Sequence, residues 1–348
     1  MAEKDLGIGL IGVGMGSDLF HLNEDPNSRF IVKAVSALEP EKLAKAAQVP
    51  GVEFTTTKYQ ELLERDDIKV IGVFSPDTAH AEHAIAALEA GKHVVITKPM
   101  VVSLEQGIAV AKAADKAKKK VIVGETCRWY TSFLAAKKLL DDGDLGEVLF
   151  ADAHYVHDLG NIFDLTPWRY LMPQDFMYGG GCHPVDSLVW FMGEIDEVFV
   201  YANRTGDPRY PLPNNYLINL KFTSGKIARV LAAYGMIEPP YPMMGLTIYG
   251  SKGTAMADFT DFKPTSCKVV LSKLEHKPTM VMNFPADLKG AYGQMDAVKR
   301  YMAAFEDAIV NDTPGPEDAW EGLKTISALH SCWESIKTGK PVKVQNTF

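Results

Sequence analysis

The sequence predicts an α/β protein of two domains, an N-terminal doubly wound parallel sheet and a C-terminal α/β domain with a large, mostly antiparallel open sheet. Short β-branched runs alternate with amphipathic helical stretches from residue 7 to about 124, which is typical of a parallel sheet with crossover helices. Strand-like runs then follow one another with few helices between them, which favours antiparallel pairing. A length of 348 residues also exceeds the usual size of one hydrophobic core. We expect the domains to span residues 1–125 and 126–348.

Five short apolar runs are predicted to form the strands of the parallel sheet. They are Ile8–Ile11, Phe30–Val35, Val70–Phe74, His93–Ile96 and Val121–Val123. Between them, Ala79–Ala90 carries apolar residues at helical spacing and ends at Gly91, a candidate C′ glycine. Ser103 is placed to cap the next helix.

The C-terminal half combines six predicted strands with four predicted helices. The strands are Val148–Tyr155, Val198–Asn203, Tyr216–Phe222, Ile227–Ala233, Gly245–Tyr249 and Lys268–Leu271. The helices are Ser132–Asp141, Val185–Phe191, Asp296–Asn311 and Trp320–Thr338. We expect the last three helices to cover one face of an open sheet.

The composition excludes several classes of protein. A formal net charge of −8 and a pI near 5.6 argue against a nucleic-acid partner, whose phosphates are neutralised by Lys and Arg. No apolar stretch reaches the ~18 to 20 residues that cross a bilayer, and the start lacks a signal-like run, so we expect a cytoplasmic protein without membrane contact. The four cysteines show no CxxC spacing, so neither disulfides nor a structural zinc site is expected.

The strongest ligand-binding motif is the glycine-rich turn after the first predicted strand. Gly12 and Gly14 allow a tight turn and close backbone approach to a pyrophosphate at the N-terminus of the next helix. The third glycine of a GxGxxG motif would fall at Ser17, so the match is incomplete. The order of strand, turn and helix predicts a dinucleotide-binding Rossmann domain, with Met15 and Gly16 also at the cofactor.

The choice between NAD and NADP stays open. The acidic residue that usually follows the second strand and binds the adenosine ribose is missing, because Ala37 stands near that position. Glu39 could reach the ribose hydroxyls and favour NAD, whereas Ser36 with Lys42 could accommodate a 2′-phosphate. We expect NAD, with NADP as the alternative.

Two further segments stand at the carboxyl ends of predicted parallel strands, the edge at which such sheets bind ligands. After the third strand, Ser75 and Pro76 are expected to pack on the cofactor, and His80 either joins them or is a buried helix histidine. The fourth strand leads into Lys98 and Pro99. Because burying an ammonium group is costly, Lys98 is a catalytic candidate rather than a lysine that only extends to solvent. A cis bond to Pro99 would direct this lysine toward the cofactor.

Over nearly its whole length the chain resembles the glucose–fructose oxidoreductase / inositol dehydrogenase / MocA (Gfo/Idh/MocA) family. The matching segments occur in order as the Gly12–Gly16 turn, Ser75–His80, Thr97-Lys-Pro99 in place of Glu-Lys-Pro, Asp144–Val148, Thr166–Arg169, Gly179–Asp186, Ile248–Thr254 and Gly339–Val344. The resemblance implies a Rossmann domain joined to an α/β domain whose open sheet often makes oligomer contacts. We therefore expect a homo-oligomer, either a dimer or a tetramer.

In that family the lysine of the Lys-Pro motif works with an aspartate and a histidine in an Asp-x-x-x-His arrangement, so the resemblance implies that Lys98 and His183 are catalytic. The aspartate is absent, because Gly179 stands four residues before His183. His183 would take the hydroxyl proton as hydride leaves, and a charged Lys98 would stabilise the developing alkoxide. Some relatives use a tyrosine as the base, which makes Tyr178 a further catalytic candidate.

Polar and aromatic side chains suited to a hydroxyl-rich ligand accompany these motifs. The expected substrate-binding residues are Arg128, Tyr155, His157, Trp168, Arg169 and Asp186. Asp186 could orient His183 or instead have a structural role. A metal site is not expected, since on a strand His154 and Asp158 share one face while His157 points to the other.

These observations predict an NAD(P)-dependent oxidoreductase that acts on a sugar, a sugar derivative or a polyol. Two alternatives stay open. A redox-neutral, NAD-dependent glycosidase would oxidise a ring hydroxyl, eliminate the leaving group, add water and reduce the ketone again, and the absent aspartate with Tyr178 and Tyr155 favours it. A catalytically inactive dinucleotide-binding regulator would not need both Lys98 and His183.

Overall fold

The computed structural model describes residues 3–158, 174–206, 208–236, 242–259, 266–271, 278–280 and 294–348. The chain forms two compact units, the first comprising Met1–Gly124 with Val298–Leu323 and the second Glu125–Ala297 with Lys324–Phe348. The predicted boundary between the domains lies one residue later, after residue 125. Residues 298–323 were predicted to belong to the C-terminal domain, whereas in the structure they belong to the first unit.

The first unit contains a six-stranded sheet in the order β3-β2-β1-β4-β5-β6, and all its strand pairs are parallel. The strands are β1 Leu6–Ile11, β2 Phe30–Ser36, β3 Phe54–Thr56, β4 Ile68–Val73, β5 His93–Thr97 and β6 Val121–Gly124. The helices are α1 His21–Glu24, α2 Pro40–Ala46, α3 Gln60–Leu63, α4 His80–Glu89 and α5 Leu104–Ala117, with short 3-10 turns at Met15–Phe20 and Asp77–Ala79. The strand order reverses at β1, so the predicted doubly wound sheet is confirmed, and the reversal is the point at which such sheets bind ligands.

The strands of this sheet are apolar along almost their whole length, as expected for a parallel sheet covered on both faces. Every residue of β1 is buried, and so is every residue of β4 except Lys69. The helix limits follow the predicted signals. The Ser103 side chain accepts a hydrogen bond from the Gln106 amide at 3.2 Å at the start of α5, and Gly91 follows α4 with a φ of 73°.

The second unit is built on a nine-stranded sheet in the order β14-β13-β12-β11-β7-β10-β9-β8-β15. Its strands are β7 Val148–Val156, β8 Ile195–Asn203, β9 Asn215–Phe222, β10 Ile227–Ala233, β11 Met244–Gly250, β12 Gly253–Phe259, β13 Ser266–Leu271, β14 Pro278–Met280 and β15 Val342–Lys343. Its helices are α6 Thr131–Asp141, α7 Phe176–Gly179 and α8 Cys182–Met192, with a 3-10 turn at Thr126–Trp129. Of the two C-terminal helices, α9 Gln294–Val310 belongs to the first unit from Val298 onward, and α10 Ala319–Thr338 belongs to the first unit up to Leu323 and to the second unit after it. Within the described strands, β7 and β10 pair in parallel while the other pairs are antiparallel, which confirms the predicted, mostly antiparallel sheet.

One face of this sheet is covered and the other is open. Along β9 the buried Tyr216 and Ile218 alternate with the exposed Leu217 and Asn219, which is the period of two expected for a half-buried strand. On the covered side α8 packs on β7 and α6 on β12. The open side carries large apolar side chains on β8, β9, β10 and, beyond β7, on β11, namely Tyr201, Leu217, Ile227 and Tyr249.

Strand β12 is the main element that the sequence analysis missed. Its residues are Gly253, Thr254 and then Ala-Met-Ala, so it lacks the β-branched run that predicts a strand. It forms because both of its edges pair, with β11 on one side and β13 on the other. None of the described helices is long and apolar enough to cross a membrane.

Candidate active site

The glycine-rich turn after β1 contains one position, Gly12, at which the structure accommodates only glycine. Gly12 has a φ of 92°, and a Cβ there would lie 2.4 Å from the Phe74 carbonyl oxygen. Its amide donates to the Ser36 carbonyl at 2.8 Å. Gly12 therefore lets the chain turn tightly between the carboxyl ends of β2 and β4.

The next two glycines have different roles. A Cβ at Gly14 would meet nothing within 4 Å, so the space beside this backbone is open. A Cβ at Gly16 would lie 3.1 Å from the Phe74 Cβ, so Gly16 allows close packing. The Ser17 hydroxyl donates to the Gly14 carbonyl at 2.8 Å. An open approach at the second glycine and close packing at the third are the features that a bound pyrophosphate requires, so the turn fits a dinucleotide although Ser17 interrupts the sequence motif.

The residues that bear on NAD or NADP lie just beyond β2. Ser36 is buried, whereas Glu39 is exposed and forms a salt bridge of 2.7 Å with Lys42. The hydrogen bond from Lys42 lowers the pKa of Glu39. The two side chains expected to favour opposite cofactors are thus paired with each other, and their contact with a dinucleotide stays a prediction.

His80 links the segments that follow β4 and β5. Its ring is 1% exposed, with Nδ1 2.8 Å from the Pro99 carbonyl oxygen and Nε2 2.9 Å from the Ser75 carbonyl oxygen. Burial lowers the pKa of His80, and a neutral imidazole has one N–H to donate to one of these carbonyls. The structure thus gives His80 the role of a buried helix histidine, and cofactor contact by it, as by Ser75 and Pro76, stays a prediction.

Lys98 follows β5 directly, at the sheet edge that also carries the glycine-rich turn. Its side chain is half-buried, and the Lys98–Pro99 peptide bond is cis, as the sequence analysis anticipated. The sheet therefore presents a lysine and the glycine-rich turn at one edge of the first unit.

His183 lies in the second unit, in the first turn of α8, within a buried polar cluster. Its Nδ1 is 2.6 Å from Glu125 Oε2 and 3.2 Å from Cys127 Sγ. Glu125 and Cys127 come from the segment that follows β6, and all three side chains are at most 5% exposed. The candidate ligand atoms of these three residues lie within 4.8 Å of one another. Sequence reasoning identified His183 but missed Glu125 and Cys127, although their place directly after β6 is a signal that could have found them.

Arg128 and Asp186, both expected to bind substrate, form a bidentate ion pair. Arg128 Nε donates to Asp186 Oδ2 and Arg128 Nη2 to Asp186 Oδ1, each at 2.7 Å, and the Thr325 hydroxyl donates to Oδ1 at 3.0 Å. Burial raises the pKa of Asp186, and the guanidinium opposes that shift. These contacts give Asp186 a structural role, and substrate binding by either side chain stays a prediction.

Aromatic rings lie beside His183. The Tyr155 ring centroid is 5.4 Å from that of His183 and 5.5 Å from that of Tyr234. His157 is half-buried next to Tyr155, whereas Tyr178 is buried in α7. Two further expected substrate-binding residues, Trp168 and Arg169, lie outside the described residues.

Two family models match the chain. Residues 6–125 match a model described as an oxidoreductase family with an NAD-binding Rossmann fold. Residues 133–256 match a model described as the GFO/IDH/MocA C-terminal domain. Together these matches cover the parallel sheet, strands β7 to β11 of the second sheet and the His183 segment.

Relatives share about a quarter of their aligned residues with this chain. Inositol 2-dehydrogenase of Salmonella typhimurium is 26% identical, over 95% of this chain and 94% of that protein. An uncharacterized oxidoreductase of Bacillus subtilis, YrbE, is 24% identical over 99% and 98%. Levoglucosan dehydrogenase of Pseudarthrobacter phenanthrenivorans is 28% identical, over 60% of this chain and 56% of that protein.

Solved structures share the fold. An oxidoreductase domain protein from Kribbella flavida superposes with a TM-score of 0.87 at 23% identity, covering 98% of this chain and 100% of that one. A levoglucosan dehydrogenase in complex with NADH and levoglucosan gives a TM-score of 0.84 at 22% identity, covering 97% and 99%.

Proposed function

We propose that this chain, which belongs to the Gfo/Idh/MocA family of oxidoreductases, transfers hydride between NAD and a hydroxyl or carbonyl carbon of a sugar or polyol. One observation carries the proposal. The half-buried Lys98 and the glycine-rich turn with its open side at Gly14 lie at the same edge of the parallel sheet. This edge is where such sheets bind dinucleotides.

The chemistry is divided between two side chains. The bound dinucleotide supplies a nicotinamide carbon that accepts hydride. The ammonium group of Lys98 donates hydrogen bonds to the substrate oxygen and stabilises the charge that develops as its proton leaves. The imidazole of His183 accepts that proton, because histidine is the side chain whose ordinary pKa lies nearest neutrality.

The substrate class follows from the relatives and from the aromatic side chains of the second unit. Proteins named inositol 2-dehydrogenase and levoglucosan dehydrogenase act on compounds that carry several hydroxyl groups. Aromatic faces such as that of Tyr155, beside His183, suit the C–H surfaces of such rings. We assign the same class of substrate to this chain.

NAD is the proposed cofactor rather than NADP. The exposed carboxylate of Glu39 stands just after β2, where it can accept hydrogen bonds from ribose hydroxyls and repel a 2′-phosphate. Titration of the protein with NADH and with NADPH tests this choice, and Glu39→Gln should reduce the preference for NADH. Tighter binding of NADPH would overturn it.

The first experiment is mass spectrometry of the denatured, freshly purified protein, followed by an absorbance assay for NADH with myo-inositol, levoglucosan and aryl glycosides. Formation of NADH with a polyol or sugar supports the proposal. Retained NAD with glycoside cleavage and no net NADH would establish the redox-neutral glycosidase instead. Dinucleotide binding without turnover of any of these compounds would favour the catalytically inactive regulator.

Substitution separates catalysis from binding. Lys98→Met should lower kcat by at least about 100-fold while leaving the affinity for NADH within about threefold, because charge stabilisation is lost at the reacting oxygen. Lys69→Met, at the exposed lysine of β4, is the matched control and should change neither value. Full activity of Lys98→Met would refute the assignment.

The open face of the second sheet is the proposed contact surface of a homo-oligomer. Tyr201, Leu217, Ile227 and Tyr249 are each at least 42% exposed and lie on strands β8, β9, β10 and β11 of one sheet. Clustered exposed apolar side chains of this size mark association surfaces. Light scattering should show a dimer or tetramer that Leu217→Glu dissociates, and a monomeric wild-type protein would refute the surface.

A further inference from the structure

We propose that Glu125 is the positioning residue of His183 and supplies the carboxylate that the missing aspartate provides in relatives with the Asp-x-x-x-His arrangement. The inference rests on the proposed function, because it assigns His183 the role of proton acceptor. Glu125 and His183 both belong to the second unit.

The hydrogen bond between the two side chains fixes one tautomer of the imidazole. Glu125 Oε2 lies 2.6 Å from His183 Nδ1, and a carboxylate can only accept, so Nδ1 carries the hydrogen. The length is that of a charge-assisted bond, and exposures of 3% and 5% shield it from water. The neutral ring therefore has its lone pair on Nε2, which forms no hydrogen bond to any residue that the structure describes. This is the state that accepts a proton from substrate.

The surroundings of Gly179 show why the carboxylate comes from a different segment. A Cβ at position 179 would lie 2.9 Å from the end of the Gln174 side chain, which would have to move to admit an aspartate. A Cβ at Gly180 would lie 2.5 Å from the Tyr234 hydroxyl oxygen, and one at Gly181 would lie 2.5 Å from the Met177 carbonyl oxygen. Side chains at these three positions would displace their neighbours, and the carboxylate beside Nδ1 comes instead from Glu125 in the segment after β6.

The same cluster contains ligand types that zinc prefers, so the distances must decide between a metal site and a hydrogen bond. At Zn–N and Zn–O distances of about 2.0 to 2.2 Å, two ligands of a tetrahedral site lie about 3.3 Å apart. Glu125 and His183 are 2.6 Å apart, which is too close for two ligands and normal for a hydrogen bond. The Cys127 thiol is accounted for without a metal, because it donates toward Met244 Sδ at 3.5 Å.

The carboxylate also affects the proton affinity of the ring. A negative charge next to His183 stabilises the imidazolium that forms when the substrate proton is taken up, so removing that charge makes proton transfer from the substrate less favourable. The other titratable groups near the ring are Cys127, Tyr155, and Asp186 in its pair with Arg128. None of these groups is altered in Glu125→Gln.

The test is Glu125→Gln, assayed with levoglucosan and myo-inositol across pH. We expect kcat to fall by about 100-fold with KM within about threefold, and the acid limb of kcat/KM to move to lower pH by about one unit. Glu125→Asp keeps the charge and should keep the limb at its wild-type pH while recovering part of the rate. A residue with only a structural role would lower activity without moving the limb.

Two further variants make each failure distinguishable. Cys127→Ser, which alters a direct contact of His183, should lower kcat by less than Glu125→Gln does, since the thiol does not hold Nδ1. Loss of activity in this variant, together with zinc detected in the wild-type protein by elemental analysis, would replace the positioning role with a metal site. Inactive His183→Ala alongside fully active Glu125→Gln would refute only the role of Glu125, whereas fully active His183→Ala would refute the proposed function itself.

A readout without substrate completes the test. In protein labelled with nitrogen isotope at its nine histidines, the His183 resonance, assigned by its loss in His183→Asn, should report the tautomer with hydrogen on Nδ1 at neutral pH. Glu125→Gln should mix the tautomers or shift the titration to lower pH. An unchanged spectrum in Glu125→Gln would overturn the inference even if no substrate were turned over.

Discussion

Two glycine-rich segments, Gly12–Gly16 in the first unit and Gly179–Gly181 in the second, look alike in sequence but differ in what requires the glycines. At Gly12 the requirement is the backbone itself, which has a positive φ and lies against the Phe74 carbonyl. At Gly179 and Gly180 it is the side chains of Gln174 and Tyr234, and neither glycine has a positive φ. The first segment can be recognised from its glycine spacing and its place after a strand, whereas the second can be understood only once the packing of Gln174 and Tyr234 against it is known.

The largest effect is expected at Gly12. Gly12→Ala would place a Cβ 2.4 Å from the Phe74 carbonyl oxygen in a backbone conformation that L-residues rarely adopt. We expect the free energy of unfolding to fall by about 3 to 5 kcal/mol and NADH binding to be lost. Thermal unfolding with and without NADH measures both effects. If the variant unfolds at the same temperature as the wild type, the turn accommodates a Cβ and the backbone at position 12 does not require glycine.

The second segment should yield a smaller effect that a distant substitution reverses. Gly180→Ala would bring a Cβ to 2.5 Å from the Tyr234 hydroxyl oxygen and should cost about 1 to 3 kcal/mol of stability. That hydroxyl is buried without a hydrogen-bond partner among the described residues, so Tyr234→Phe alone should cost little. The double variant should recover most of the loss in chemical denaturation. Strict additivity of the two substitutions would contradict a contact between them.

A pH effect is expected in the first unit. Burial, with smaller contributions from Lys119 and Lys120, lowers the pKa of His93 to about 4. The unfolded chain then binds a proton that the folded chain does not, so stability present above the ordinary histidine pKa is lost as pH falls from about 6.5 toward about 4. Because His93 is partly exposed, we expect about 1 kcal/mol. Unfolding of wild type and His93→Gln at neutral and acid pH measures it, and equal acid sensitivity would contradict it.

The smallest change in stability is expected at Gly14, the matched control for Gly12. A Cβ there meets nothing within 4 Å, so Gly14→Ala should alter the free energy of unfolding by less than about 0.5 kcal/mol. Its affinity for NADH should nevertheless fall by about tenfold, because the methyl group occupies the side that a pyrophosphate approaches. An unchanged affinity for NADH, measured by fluorescence titration, would show that the cofactor does not bind at this turn.

The predictable part of the molecule is the part determined by local patterns. Five of the six strands of the parallel sheet, all but the short β3, together with the Ser103 cap and the Gly91 helix end, follow from periodicity and from residues with restricted conformations. Strand β12 was missed because pairing on both edges, rather than its own composition, makes it a strand. Glu125 was missed for a related reason, since it stands 58 positions before His183 and only the fold brings the two together. The ion pair of Arg128 with Asp186 likewise depends on contacts across that distance.

The return of the chain to its first unit near the end of the sequence affects the order in which that unit is made. The Val123 amide donates to the Glu317 carbonyl at 2.9 Å, and the space at Gly107 is bounded by Leu323 at 2.6 Å from where a Cβ would lie. Residues 298–323 therefore pack against a unit whose last strand, β6, ends at Gly124. During synthesis the ribosome must reach residue 323 before all the residues of the first unit have been made. A fragment released at the end of β6 would expose the surface that this late segment covers.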